Sequence, residues 1–170
     1  MPGGVKYRGR TAGMRVEAAA VMLSQTPIFT IHAELGEIRH FGQTPYGERR
    51  VIDILGGRIE GPRLKGRILP GADWQIVRPD GVTDLKARYA IETDRGTRIL
   101  VTSDGLRHGP PEVIAAVGRG EIVDASTYYF RTIPRFATAH HAYAFLNHLV
   151  AVASGDRRPE GALYTIHEVL

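Results

Sequence analysis

The chain contains no cysteine. That excludes a disulfide framework, a thiolate nucleophile and a Cys-ligated metal. Lysine is nearly missing as well: 3 Lys stand against 19 Arg in 170 residues with a formal charge of +4. The basic residues are scattered among acidic ones. There is no basic helix, finger or aromatic RNA-binding signature, so nucleic acid is not an expected partner. Genome composition accounts for the excess of arginine in the bland reading, and an anionic ligand accounts for it in the sharper one. Long hydrophobic runs are also lacking. The apolar stretch from Ala18 to Leu23 is too short for a membrane span and weak as a signal-peptide core. These absences together predict a soluble, cytoplasmic protein with no membrane partner.

Cofactor signatures are absent too. The seven histidines show no His-x-His or His-Glu-x-x-His spacing, so no metal is expected. Neither a Gly-x-Gly-x-x-Gly loop nor a Walker-type loop occurs, which removes the usual grounds for a nucleotide cofactor. No Gly-x-Ser-x-Gly elbow marks a serine hydrolase. No cofactor of any kind is expected.

Glycine and proline, by contrast, are plentiful, with 20 Gly and 10 Pro spread along the chain. Between Gly56 and Tyr89 they recur every few residues, and short apolar-polar alternations fill the gaps, as in consecutive antiparallel strands. Strands are predicted over 28–35, 49–60, 64–69, 73–78, 83–92, 97–104, 127–133 and 163–170. Residues 36–48 read as a loop, and Pro70-Gly71 and Asp80-Gly81 read as turns. One short helix is expected over 112–117, because Pro110-Pro111 precedes it and Glu112 lies in its first turn. Residues 140–153 fit a helix nearly as well as a strand. The fold class is therefore all-β: a closed or nearly closed antiparallel barrel of about 8–10 strands with one short helix. Residues 1–26 are expected to form a flexible extension, and 27–170 a single barrel domain.

Several polar residues are unusual in such strands. Asp73 and Trp74 are adjacent, so their side chains diverge and only one can face the lumen. An inward Asp73 would have its pKa raised by burial and suit acid-base work; alternatively it caps the Pro70-Gly71 turn. Trp74 is core or barrel closure in one reading and a ligand platform in the other. Glu60 is either a rim residue paired with Arg58 or Arg63, or a second carboxylate at the cavity. Tyr89 shares a face with Leu85 and Ala87, so it is expected inside, as a satisfied core tyrosine or as a donor to a developing oxyanion. Arg88 then points outward. Arg131 and Tyr129 share a face; a buried arginine there needs Asp73, Glu60 or an anionic ligand as its partner. Asn147 serves either a bound molecule or a backbone group of the barrel.

Five short motifs stand in a recognisable order: Glu60-Gly61-Pro62, Pro70-Gly71-Ala72-Asp73-Trp74, Ala87-Arg88-Tyr89, Arg107-His108-Gly109-Pro110-Pro111-Glu112 and Tyr129-Phe130-Arg131. With Tyr143-Ala144-Phe145-Leu146-Asn147 they resemble uncharacterised protein family 0311, also called domain of unknown function 3237, from about Ile28 to Val169. Lys86, Phe145 and Pro70 depart from that pattern; Phe145 would change pocket size, and Lys86 is expected on the outer face. The resemblance implies a barrel akin to allene oxide cyclases and dirigent proteins, which hold hydrophobic molecules inside and guide cyclisation or coupling by shape.

The expected function is that of a cofactor-independent isomerase, cyclase or lyase. Its substrate would be a small hydrophobic molecule, carboxylated or phenolic, held in the barrel. Asp73, Glu60 and Tyr89 are the catalytic candidates; Arg131, Trp74, Asn147 and Tyr129 are the ligand-binding ones. A non-catalytic binding barrel is the alternative, and a barrel packed solid for an assembly role is the third reading. Pairing of exposed strands would make a homo-oligomer.

Overall fold

A chain of short alternating strands must either cover or abolish its sheet edges, and this one abolishes them. In the computed structural model, which describes residues 20–170, eight antiparallel strands close into a barrel in simple sequence order. They are β1 (Phe29–Thr44), β2 (Gly47–Glu60), β3 (Lys65–Val77), β4 (Thr83–Thr93), β5 (Arg98–His108), β6 (Tyr129–Ala137), β7 (Ala151–Arg157) and β8 (Gly161–Glu168). β8 pairs with β1 from Phe29↔Ile166 to Glu34↔Gly161, which closes the circle. The seam between β6 and β7 is the thinnest, with only Arg131↔Ser154 and Thr132↔Ala153 in register. Among the described residues, no helix is long and apolar enough to cross a membrane.

Two expectations are corrected. Residues 36–48 are not a loop: β1 and β2 run on as a long hairpin to Thr44 and from Gly47. Pro70-Gly71 is not a turn either. It lies inside β3, where the pairing with β4 slips between Leu69 and Ala72. Proline is tolerated there because a bulge frees the position from the ladder. The slip decides which side chains face inward. Ile68 points into the barrel, and so do Asp73 and Gln75; an odd offset of that kind requires the extra residue. β2 shows the same device at Leu55, next to Gly56-Gly57, where the pairing with β1 slips between inward Ile54 and Ile59.

The ends of the barrel differ. At one end Phe29 meets Phe136 edge to face at 5.5 Å, among fully buried Ile59, Ile91, Ile99 and Ile166. A 3-10 segment, His141–His148, lies over this end and buries Tyr143 and Leu146. β7 follows it, which resolves the ambiguous stretch into one 3-10 segment and a strand. At the other end α1 (Pro111–Gly118) buries Val117 beside Leu85, Tyr128 and Phe130. Helix α1 falls where proline at its start and Glu112 in its first turn predicted it. Contact with the barrel begins ahead of Pro27, because the Ser24 amide donates to the Glu168 carbonyl at 2.9 Å. Residues 1–19 of the expected extension lie outside the described residues.

Two glycines separate backbone strain from crowding. Gly57 has φ of +131°, and an added Cβ would sit 2.0 Å from the His32 carbonyl oxygen; Gly42 has φ of +84° with nothing within 4 Å. Gly42→Ala is expected to cost about 1–2 kcal/mol, the strain of a left-handed residue. Gly57→Ala is expected to cost clearly more, because β1 must also move. Denaturant midpoints of the two variants check the order.

Candidate functional site

The lumen holds a narrow cavity, of which about 40 Å3 admits the centre of a water-sized molecule, and it opens at the mouth. Its floor and walls are largely aliphatic: Ile31, Ala33, Leu35, Ile54, Ile68, Leu85, Ala87 and Ile166. Into this surface project Asp73, Tyr89, Ser103, Thr132 and Tyr164. Register explains the gathering. Asp73 on β3 lies opposite Ala87 on β4, and Ala87 lies opposite Ser103 on β5. Tyr164 on β8 lies opposite Ile31 on β1 and Gly155 on β7.

Asp73 is surrounded by protein except where it faces the cavity. Its Oδ2 accepts a hydrogen bond from the Gln75 side-chain amide at 2.6 Å, and its Oδ1 accepts one from the Lys86 backbone N–H at 2.9 Å. Arg50 Nε donates to Gln75 Oε1 at 2.8 Å. Arginine is only a donor, so Gln75 must turn its oxygen toward Arg50 and its NH2 toward Asp73. Burial raises the Asp73 pKa above the usual carboxylate range; the Gln75 and Lys86 hydrogen bonds, and then Arg107 and Arg50, oppose the rise without reversing it. Burial also pushes the Tyr89 hydroxyl far above the usual phenol range. It does the same to Tyr164, with the neighbouring Asp73 charge adding to the effect. Both tyrosines are neutral hydrogen-bond donors at any physiological pH.

The predicted site residues divide. Asp73 and Tyr89 line the cavity. Trp74 does not: once Asp73 faces inward, alternation sends Trp74 to the outer surface, where it is 47% exposed. Glu60 does not converge with Asp73. It sits outside at a strand end, 3.4 Å from Arg58 Nε, which is the rim pairing. Arg131 and Tyr129 are outward because Phe130, Thr132, Pro134 and Phe136 take the inner face of β6. The Arg131 guanidinium lies 5.3 Å from the Tyr129 ring centroid, and Tyr129 stacks on His108 at 4.8 Å. Arg131 is therefore no anchor for a molecule in the lumen. Asn147 clamps the 3-10 segment, accepting from the Thr138 N–H and donating to the Thr138 carbonyl, each at 2.9 Å. Arg88 points outward and pairs with Asp104 at 3.3 Å.

Sequence reasoning missed Tyr164, Gln75, Arg50 and Arg107. A signal existed for three of them. Tyr164 alternates with Ala162 and Ile166, and Arg107 continues the inward series Ile99, Val101, Ser103. Arg50 shares a face with Ile52 and Ile54.

The raised Asp73 pKa has a stability consequence of definite sign. Above about pH 3.9 the unfolded chain releases this proton while the folded chain keeps it, so the folded state binds more protons and stability falls as pH rises. Asp73→Asn removes the effect. Wild type should therefore lose stability relative to Asp73→Asn as pH rises from 4 toward 8, by about 1.4 kcal/mol for each unit of pKa elevation. Chemical denaturation of both proteins across that range checks this; parallel curves would contradict it.

The sequence and fold have close parallels. The family described as "Protein of unknown function (DUF3237)" matches residues 23–169. A UPF0311 protein of Rhodopseudomonas palustris is 42% identical over 84% of this chain and 94% of its own. The crystal structure from that organism, described as a conserved protein of unknown function, superimposes with a TM-score of 0.84 at 41% identity, covering 88% of this chain and 99% of that one. A protein of unknown function from Clostridium acetobutylicum superimposes with a TM-score of 0.78 at 37% identity, covering 89% and 100%. An enzyme from Penicillium herquei shares the fold alone, with a TM-score of 0.66 at 20% identity, covering 88% and 95%. With a barrel of this construction and a match spanning nearly all of its described residues, the chain belongs to the DUF3237 (UPF0311) family.

Proposed function

We propose that the lumen is the reaction chamber of a cofactor-independent enzyme that moves a proton on a small, largely apolar molecule, in an isomerisation, cyclisation or lyase reaction. One observation carries this reading: Asp73, its pKa raised by burial, looks into an aliphatic cavity that Tyr89 and Tyr164 also line. A carboxyl group tuned upward serves as acid and base near neutrality. Each of its oxygens already accepts one hydrogen bond from the protein. The carboxylate therefore takes the substrate proton on a remaining lone pair and returns it at a second position. The exchange balances without an external donor. Tyr89 and Tyr164 supply O–H groups to an oxygen that gains negative charge as the proton leaves. The low polarity of the walls strengthens those hydrogen bonds. Catalysis on this barrel fold is not foreign, since the Penicillium herquei protein that shares it is called an enzyme.

The largely aliphatic lining favours a second reading, a barrel that binds the same kind of molecule without converting it. Capture of small molecules from cell extract, followed by mass spectrometry before and after incubation, separates the two. Under the enzyme reading, wild type converts what it captures. Asp73→Asn still captures it but turns it over about 100-fold more slowly or worse, and Tyr164→Phe or Tyr89→Phe slows turnover by about 10-fold or more. Capture without conversion by wild type would leave the binding barrel.

A further inference from the structure

Beyond Asp73, toward α1, the barrel holds a second space, of which about 50 Å3 admits the centre of a water-sized molecule. Arg50, Arg107 and Arg157 enter it among Ile52, Ile114 and Val117. Three guanidinium groups gathered under an apolar helix need a reason, because buried charge is costly unless it is paired. Several surface arginines have carboxylate partners: Arg67 and Arg98 share Glu92, and Arg78 holds Asp84. None of these three lies within 4.0 Å of a carboxylate among the described residues. Arg50 is bonded to neutral Gln75, with Glu48 and Asp73 acting on it only at longer range. Arg157 donates to the Arg158 and Gly161 carbonyls, with Glu160 farther off.

Arg107 is the most exceptional. It is 6% exposed, and its Nε has no hydrogen-bond partner. The Phe130 face lies 5.6 Å from its guanidinium carbon, and Arg50, Tyr164, Asp73 and Arg157 act on it at longer range. Burial, and then Arg50, draw its pKa down to about 10, so it remains a cation at neutral pH. A free Nε beside an Nη forms a two-donor edge that matches the two oxygens of a carboxylate. The hydrogen-bonded series Arg50–Gln75–Asp73 runs from this cluster to the wall of the lumen.

We infer that the cluster centred on Arg107 is an oxyanion subsite that takes the carboxylate of the ligand whose apolar body lies in the lumen. The substrate class is thereby narrowed to small hydrophobic carboxylic acids. The inference rests on the reading of the lumen as a ligand site. It also assigns to Arg107, with Arg50 and Arg157, the anchoring role that the outward position of Arg131 leaves vacant.

The test compares phenylacetate with neutral phenylacetamide by calorimetric titration at pH 7. Wild type should bind the acid at least about tenfold more tightly than the amide, as charge-assisted bidentate pairing implies. Arg107→Met should bring the two level by weakening only the acid, and Arg131→Met should change neither. If Arg107→Met does not fold, Arg50→Gln takes its place and should weaken the acid several-fold. Equal affinity of the two probes for wild type, binding of neither, or an acid preference that survives both cluster substitutions overturns the subsite. The lumen is tested separately by Ala87→Trp, which fills it. Amide binding unaffected by Ala87→Trp would overturn the lumen reading whatever the charge preference shows.

Discussion

A carboxyl group held inside an aliphatic barrel is the constraint on which the rest of the site depends. Left alone, Asp73 would be expelled or would destabilise the fold. It stays because a backbone N–H and a side-chain amide hold its two oxygens, and because arginines stand behind that amide. Those contacts position the group and lower the cost of its charge, yet burial still wins and the pKa rises. A fully satisfied surface ion pair would instead hold the proton affinity of its carboxylate low. The arrangement combines a fixed orientation with a proton affinity left high.

That position depends on an irregularity in β3. A regular strand from Ile68 onward would have turned Ala72 and Trp74 inward and put Asp73 in water. The slip between Leu69 and Ala72 reverses the alternation. The chamber that results is graded along its axis. Phe29, Phe136 and the 3-10 segment seal an apolar end. Asp73, Tyr89, Tyr164 and Ser103 form a polar middle. Arg50, Arg107 and Arg157 make a cationic end beneath α1. A molecule with an apolar body, a reacting centre and an acidic terminus fits that order.

Most of the architecture was legible in the chain, because alternation with glycine- and proline-rich breaks reports antiparallel strands directly. What was misread was punctuation. Pro70-Gly71 has the composition of a turn, and only the partner strands reveal that the chain continues straight through it as a bulge. The same misreading split one strand into two. For the site, Tyr89 was legible from its alternation with Leu85 and Ala87, whereas alternation left Asp73 and Trp74 as alternatives that only the slip in β3 decides. Arg131, Tyr129 and Trp74 were drawn in by their chemistry, although their own neighbours, such as Phe130 and Thr132, claim the inner face. Arg107 went unseen because Gly105 and Leu106 obscured the end of its strand. Arg50 and Gln75 went unseen because a single sequence does not show which polar residues meet across a barrel.

The account stands on Asp73 keeping its proton to unusually high pH inside the folded barrel. Carbon-detected NMR titration of the side-chain carboxyl in protein labelled at aspartate, with Asp73→Asn to assign the signal, measures this directly. The account predicts a midpoint well above the ordinary carboxylate range. A midpoint within that range or below it would show an ordinary, solvated or ion-paired carboxylate, and would contradict the lumen as a place for proton transfer.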